Sequence, residues 1–139
     1  MTIEMNQRVY ITRRFSFEAC HHLPNYNGKC SNVHGHSYKL EVTVSAEKDF
    51  SSGATNPYRN MVMDFSTLKG IVNAEVVNKY DHQDLNEFFT MPTAESMVVQ
   101  MFEDIRSKLI DEYYGEVRLE EVKLWETEDS FASFRGDYV

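Results

Sequence analysis

The segment RVYITRRFSFEACH, residues 8–21, alternates between apolar and polar side chains along much of its length. One parity holds Phe15, Phe17, Ala19 and His21, and the other holds Arg14, Ser16, Glu18 and Cys20. Successive side chains of a β-strand point to opposite faces, so this pattern predicts a strand with one buried face. His21 lies on the parity that we expect to be buried.

The elements that follow complete an α+β pattern. Residues 22–33 are rich in Pro, Gly, Asn and Ser and predict a loop, and residues 34–47 alternate again as a second strand. After an exposed connection at residues 48–60, Asp64 is placed to cap a helix, and a second helix is expected from near Thr93 to Gly115. The expected apolar stripes are Phe65, Leu68, Val72, Val76 and Tyr80 in the first helix, and Met97, Val98, Met101, Phe102, Ile105, Leu109 and Tyr113 in the second. Residues 116–126 and 131–138 predict two closing strands, so the order favours one α+β domain over residues 1–139.

Composition narrows the class of protein. The chain has 139 residues, of which 42% are hydrophobic and 26% charged, as in an ordinary globular domain. Its formal net charge of -8 opposes non-specific attraction to nucleic acid or to an anionic membrane surface. No apolar run approaches the roughly 20 residues that span a bilayer, and residues 1–10 lack the apolar core of a signal peptide. We therefore expect a cytoplasmic protein with no nucleic-acid or membrane partner.

Four of the five histidines fall within residues 21–36. His34 and His36 are two residues apart, so on a strand their imidazoles leave the same face. Of the adjacent pair, only His21 shares the apolar parity, whereas His22 points to the other side. Three neutral imidazoles suit Zn²⁺, and three protein ligands leave a fourth position open for water or substrate. The sequence predicts a catalytic zinc site formed by His21, His34 and His36.

Further candidates surround this cluster, and several interpretations of them stay open. Cys30 precedes His34 by four residues in the polar loop, where it is a nucleophile, a base or a fourth metal ligand. Asp81 and His82 form an adjacent carboxylate and imidazole that can relay protons, although both are also ordinary loop residues. Glu126 follows the single tryptophan and is either functional or a solvated edge charge.

Taken together, the motifs resemble the 6-pyruvoyl/6-carboxy-tetrahydropterin synthase family. The matching segments are Phe17-Glu18-Ala19-Cys20-His21, Leu23-Pro24, Cys30-Ser31-Asn32-Val33-His34-Gly35-His36-Ser37-Tyr38, Met63-Asp64-Phe65 with Leu68-Lys69, Tyr80-Asp81-His82-Gln83-Asp84-Leu85-Asn86, Pro92-Thr93-Ala94-Glu95 and Trp125-Glu126-Thr127. They follow one another in order and at family spacing over nearly the whole chain. The joint match is far more specific than any one of these motifs.

The resemblance implies a fold and an assembly. The family has the tunnelling fold, a four-stranded antiparallel sheet with two helices between strands two and three. Its members form trimers whose sheets close into a barrel, and two trimers stack into a hexamer. Closure protects sheet edges that a free monomer would expose. The resemblance also places active sites at subunit interfaces, so that a neighbouring chain completes each site.

The resemblance assigns roles to residues as well. It makes His21, His34 and His36 the zinc ligands, and Cys30 the proton acceptor. It makes Asp81 and His82 the proton relay, supplied to the zinc and Cys30 of a neighbouring chain. Glu126 becomes the anchor of the pterin, with Thr93 as a second substrate-binding residue. A carboxylate suits the anchor, because the pterin amino group and the adjacent ring N–H are two parallel donors.

Spacing within the family bears on the reaction. Three residues separate Cys30 from His34, which resembles the 6-carboxy-tetrahydropterin synthases of the queuosine pathway. Such an enzyme converts 7,8-dihydroneopterin triphosphate to 6-carboxy-5,6,7,8-tetrahydropterin and releases acetaldehyde and triphosphate. The alternatives are a 6-pyruvoyl-tetrahydropterin synthase, a zinc- or pterin-binding module without turnover, and a related enzyme of folate synthesis. Arg13, Arg14, Lys29 and Lys39 are candidates to bind the triphosphate because they lie near the motifs.

Overall fold

A computed structural model describes residues 5–138 of the chain. Within that range the strands are β1 (Gln7–His21), β2 (His34–Lys48), β3 (Gln83–Asp84), β4 (Arg118–Thr127) and β5 (Ser130–Arg135). The helices are α1 (Phe65–Val72), α2 (Asn78–Tyr80) and α3 (Ala94–Tyr113), with single 3₁₀ turns at Lys29–Ser31, Pro57–Asn60 and Leu85–Glu87. The predicted α+β class and the order of the long elements are confirmed.

One sheet with the order β3-β1-β2-β4-β5 contains every strand of residues 5–138. β1 and β2 pair in antiparallel fashion over their full length, from Gln7 opposite Lys48 to His21 opposite His34. β3 instead pairs with the end of β1 in parallel. The prediction of four antiparallel strands is therefore wrong in number and in direction. A strand of two residues is too short to show an alternating pattern, which is why the sequence did not reveal β3.

The core lies between one face of this sheet and the helices. Most residues of the expected inward parities are buried, whereas Phe15 and His36 are only partly buried. The buried ones are Phe17, Ala19 and His21 on β1, and Tyr38, Leu40, Val42 and Val44 on β2. α3 packs on β4 and β5, and the predicted stripe from Met97 to Leu109 is fully buried, with Tyr113 packed against the core. No helix within residues 5–138 has both the length and the apolar character needed to cross a bilayer.

The predicted first helix is interrupted. Asp64 caps α1 as expected, since its carboxylate accepts the N–H of Ser66 at 2.7 Å. A π-helical turn at Asn73–Val77 then joins α1 to α2. Four residues of the predicted stripe are buried, but Phe65 is 51% exposed. Phe65 is the first residue of α1, directly after the cap, and its side chain extends beyond the packed face.

The boundaries of the last elements shift by a few residues. Thr93 caps α3 by accepting the N–H of Ser96 at 3.1 Å, and Gly115 follows the helix with φ +86°, as predicted. The final strand ends at Arg135 rather than near Tyr138, and the N–H of the next residue, Gly136, makes one more bond in the same register, to the carbonyl of Glu120 at 2.9 Å.

Candidate metal and substrate site

The three predicted zinc ligands form one cluster at the end of the β1–β2 hairpin. The strand register places His21 directly opposite His34, and His36 follows on the same face of β2. The ring centroids are 4.7 Å apart for His21 and His34, 5.0 Å for His21 and His36, and 4.7 Å for His34 and His36. These distances support the prediction, made from strand parity, that the three histidines lie together on one face.

Two backbone carbonyls orient the imidazoles. Nδ1 of His21 lies 2.8 Å from the carbonyl oxygen of Pro92, and Nδ1 of His34 lies 2.7 Å from that of Asn32. Carbonyl oxygens only accept, so each Nδ1 carries a hydrogen, and in the neutral ring each Nε2 keeps its lone pair. This arrangement is common in metal-binding histidines, whose second nitrogen donates to a fixed acceptor.

Glu126 joins the histidines and completes a possible metal site. One ligand atom from each of His21, His34, His36 and Glu126 lies within 4.8 Å of the other three. In a tetrahedral zinc site with bonds of about 2.0–2.1 Å, ligand atoms are about 3.3 Å apart. A modest contraction of the cluster would therefore bring the four atoms to distances at which they can share one metal ion.

The unpartnered nitrogens of the cluster test whether a cation fits. Within residues 5–138, Nε2 of His21 and Nε2 of His36 are buried and have no hydrogen-bond partner. Oε1 of Glu126 lies 3.3 Å from the first and 2.9 Å from the second, which is close enough for an ionic contact but not in hydrogen-bond geometry. Buried nitrogens without partners are costly unless another group binds their lone pairs. The residues present fit a divalent cation with nitrogen and oxygen ligands.

The protonation equilibria in the cluster depend on Glu126. Burial lowers the pKa of His21, but Glu126 and the Pro92 carbonyl together outweigh burial, so this pKa is raised. For His36, burial outweighs Glu126 and the pKa is lowered. Contact with His21 is the main cause that lowers the pKa of the Glu126 carboxyl. The cluster thus presents an anionic carboxylate beside imidazoles, a favourable environment for a cation.

Glu126 reaches the cluster because of its place in β4. It shares the inward parity of the fully buried Leu124, and the β4–β5 register shifts between Trp125 and Thr127. A bulge of this kind re-aims side chains beside functional sites. The shared parity with Leu124 was a sequence signal against the interpretation of Glu126 as a solvated edge charge.

A cavity of about 450 Å³ adjoins the cluster, and the predicted site residues Cys30 and Thr93 form part of its lining. His21, Cys30, Thr93 and Glu126 all line it. Cys30 lies in the 3₁₀ turn, and its carbonyl accepts the N–H of Leu23 at 2.7 Å, which fixes the loop across the cavity. Thr93 lies at the start of α3. The structure therefore brings two members of the cluster, His21 and Glu126, to one space with the Cys30 thiol and Thr93.

Asp81 and His82 lie elsewhere. Their side chains contact each other at 3.0 Å, and Asp81 also accepts the backbone N–H of Glu18 at 2.9 Å. His82 lines a second cavity of about 450 Å³ with Glu18 and Cys20, and this cavity also reaches Ala19 and the cluster residue His36. Within one chain the pair is not brought to Cys30. Donation by the Glu18 N–H is the main cause that lowers the pKa of Asp81.

The candidate triphosphate residues are also dispersed. Arg14 and Lys39 line a third cavity of about 520 Å³ with Trp125, and Arg14 pairs with Glu41 at 2.6 Å. Arg13 donates to the carbonyl of Phe65. Neither arginine nor Lys39 lines the cavity that contains Cys30.

Three contributors to the site were not predicted from the sequence, one of them the Asn32 carbonyl that orients His34. The Pro92 carbonyl orients His21, and the side chain of Asn86 forms two hydrogen bonds with the backbone of His22. A backbone acceptor leaves no residue-type signal. Asn86 stands within a recognised motif, but nothing in its spacing indicated which segment it would contact.

Comparison with known proteins agrees with this geometry. The family model described as 6-pyruvoyl tetrahydropterin synthase matches residues 10–137. The chain belongs to this family. Among its relatives, a 6-carboxy-5,6,7,8-tetrahydropterin synthase from Synechocystis sp. is 39% identical over 94 residues, which cover 66% of this chain and 70% of that one. A 6-pyruvoyl tetrahydrobiopterin synthase from Drosophila melanogaster is 33% identical over 146 aligned positions, covering 93% of this chain and 80% of the other.

A solved structure of the same family shows the shared fold. The 6-pyruvoyl tetrahydropterin synthase of Caenorhabditis elegans superposes with a TM-score of 0.76 at 29% identity, covering 98% of this chain and 100% of that one. The tunnelling fold expected from the motifs is thus confirmed at the level of one sheet and two principal helices. Membership of a family of pterin-processing enzymes agrees with the cluster and with the cavity beside it.

Proposed function

We propose that this chain converts 7,8-dihydroneopterin triphosphate and one water molecule to 6-carboxy-5,6,7,8-tetrahydropterin, a step of the queuosine pathway, with release of acetaldehyde and triphosphate. One observation carries the proposal: His21, Cys30, Thr93 and Glu126 line a single cavity beside the metal-competent cluster. That set supplies a cation site, a proton acceptor and a carboxylate anchor within one space. A purely structural metal site would not require a half-buried thiol in an adjoining cavity.

Each residue has a distinct task in the proposed reaction. Glu126 accepts two parallel N–H donors of the pterin and fixes its orientation. The Cys30 thiolate takes the proton from the substrate carbon next to the ring. Thr93 contributes to the wall of the substrate cavity. When bound, zinc supplies a Lewis acid that acidifies the hydroxyls of the substrate side chain.

Glu126 also has a second possible task, because its carboxylate lies among the histidine nitrogens. As an anchor it leaves the fourth zinc position to the substrate, and as a ligand it closes that position. We propose the anchor, since three protein ligands and one open position are the usual catalytic pattern. The two tasks predict different losses when the carboxylate is replaced, as described in the Discussion.

The proposed product follows from the spacing between Cys30 and His34. The gap of three residues is typical of the 6-carboxy enzymes, and the relative from Synechocystis sp. carries that name. The second candidate is 6-pyruvoyl-tetrahydropterin synthesis, which is favoured by the similarity to the Drosophila melanogaster and Caenorhabditis elegans proteins. The third is a zinc- or pterin-binding module without turnover.

We also propose that the working enzyme is a cytoplasmic homo-hexamer, a dimer of trimers with interface active sites. Asp81 and His82 support this proposal, because their chain does not bring them to its own Cys30 cavity and His82 is largely exposed. In an assembly they become the proton relay of a neighbouring site. Closure of the sheets into a barrel would also pair the open edge at β5.

Product analysis tests the proposed reaction. The purified, zinc-loaded protein is incubated with dihydroneopterin triphosphate, and the pterin product is identified by mass alongside an assay for acetaldehyde. The proposal expects the carboxy product with one equivalent of acetaldehyde. A pyruvoyl product without acetaldehyde supports the second candidate, and bound but unchanged substrate supports the third. Cys30→Ala serves as the matched inactive control.

A further inference from the structure

The carboxamide of Asn86 forms two hydrogen bonds with the backbone at the end of β1. Its Oδ1 accepts the N–H of His22 at 2.9 Å, and its Nδ2 donates to the carbonyl of His22 at 3.0 Å. We call this pair of bonds the Asn86 bridge. It satisfies both backbone polar groups of the residue that directly follows the predicted ligand His21.

The bridge acts where sheet pairing with β2 stops. His21 and His34 are the last pair of the β1–β2 ladder, so the following residue has no partner on β2. On the other side of β1, β3 pairs only with Ala19 and Cys20. β3 contacts β1 just before His21, and the Asn86 side chain contacts it just after His21. β1 is therefore held both before and after the predicted ligand.

Asn86 is itself held rigidly. The Asp84 carboxylate accepts the N–H of Asn86 at 3.0 Å and caps the 3₁₀ turn Leu85–Glu87. Further along the same connection, the carbonyl of Pro92 accepts Nδ1–H of His21 at 2.8 Å. One segment, residues 83–92, therefore fixes both the backbone after His21 and the ring of His21.

We propose that Asn86 is a positioning residue that sets the metal affinity of the cluster by fixing the end of β1. Metal affinity depends on groups that orient the ligands, and loss of such a group typically costs about 10–100-fold. Without Asn86, the ladder pair with His34 and the Pro92 carbonyl still hold His21 and orient its ring, but neither fixes the peptide that follows it. This inference rests on the proposed metal site and is independent of the proposed reaction.

Zinc affinity of the full-length protein, measured by competition with a chromophoric chelator, tests the inference. Asn86→Ala removes both bonds and should weaken zinc binding by about 10–100-fold. Asn86→Asp keeps an acceptor for the His22 N–H but loses the donor and adds a negative charge. Attraction between that charge and the cation would strengthen binding, so weaker binding by Asn86→Asp reports lost positioning. Asn60→Ala, which removes one side-chain bond to the Ala54 carbonyl far from the site, is the matched control and should keep wild-type affinity.

Two further measurements separate positioning from general stability. Thermal unfolding of the metal-free variants reports any loss of fold, and the visible spectrum of the Co²⁺-loaded proteins reports ligand geometry. The inference expects altered Co²⁺ absorption in both Asn86 variants and not in Asn60→Ala. Wild-type zinc affinity and an unchanged Co²⁺ spectrum in both Asn86 variants would overturn it, even if their metal-free forms melted earlier. A wild-type protein that binds no zinc would instead overturn the metal site itself.

Discussion

Replacement of Cys30 by alanine separates the role of a base from that of a metal ligand. The Cys30 carbonyl, which accepts the Leu23 N–H at 2.7 Å, is unaffected by the substitution, so the loop keeps its anchor. The side chain is only half-buried, and its truncation should cost about 1 kcal/mol of unfolding free energy or less. The three histidines and their orienting carbonyls are untouched. We therefore expect a folded variant that retains zinc.

Turnover should nevertheless fall sharply in Cys30→Ala. Removal of a general acid or base typically costs about 10²–10⁴-fold in rate. At 1.36 kcal/mol for each factor of ten, that loss corresponds to about 2.7–5.4 kcal/mol of transition-state stabilisation. The assay follows formation of the pterin product under single-turnover conditions, with zinc content measured on the same samples.

Cys20→Ala is the matched control, because Cys20 lies on the parity of β1 opposite to that of His21 and lines the second cavity together with His82. It removes the same atoms and should keep most of the activity. Two results refute the reasoning. Wild-type turnover in Cys30→Ala would show that the thiol is not the base, and joint loss of zinc and activity would make Cys30 a ligand.

The remaining predictions concern the cluster and the Asp81 carboxylate. His34→Ala should lose most bound zinc by elemental analysis, whereas His22→Ala should keep it; the reverse result would mean that the wrong neighbours were assigned. Glu126→Gln should raise KM by about 10–150-fold, because it loses a charge-assisted hydrogen bond worth about 1.5–3 kcal/mol. Its zinc content should be unchanged. Loss of zinc would instead identify Glu126 as a ligand. The pKa of Asp81 is lowered in the folded state, mainly because the Glu18 N–H donates to the carboxylate. The stabilisation that this carboxylate provides is therefore fully present above its ordinary pKa of 3.8, and it is lost as the pH falls through the lower pKa of the folded state. Asp81→Asn should therefore destabilise the protein near neutral pH and lose that disadvantage in acid; a difference in unfolding free energy that does not change with pH would contradict this.

Much of the fold was predictable because its long elements bury one face. The alternation in β1 and β2 and the stripe of α3 reflect apolar burial. Buried residues recur at every second position in the strands and at every third or fourth position in the helix. The same strand parity favoured His21 over His22 as a metal ligand. Where apolar burial sets the structure, sequence pattern and fold agreed.

The elements that sequence patterns missed are short or depend on contacts between distant segments. β3 has two residues, and the π-helical turn at Asn73–Val77 preserves a spacing that an uninterrupted helix would also show. Glu126 meets His21 because β4 lies beside β2 in the sheet and directs this parity inwards. The two Asn86 hydrogen bonds and the Pro92 carbonyl involve backbone atoms, which have no residue-type signature. Only the assembled structure reveals such contacts.

The register that places His21 opposite His34 has a consequence for folding. A slip of one residue between β1 and β2 would turn every side chain of β1 to the other face and would direct His22 or Cys20 towards the histidines of β2. A cation held by the three histidines therefore stabilises only the correctly paired hairpin, by an amount that grows with its free concentration. Binding of a metal would therefore favour one alignment of the two longest strands, because misaligned chains would lack that stabilisation.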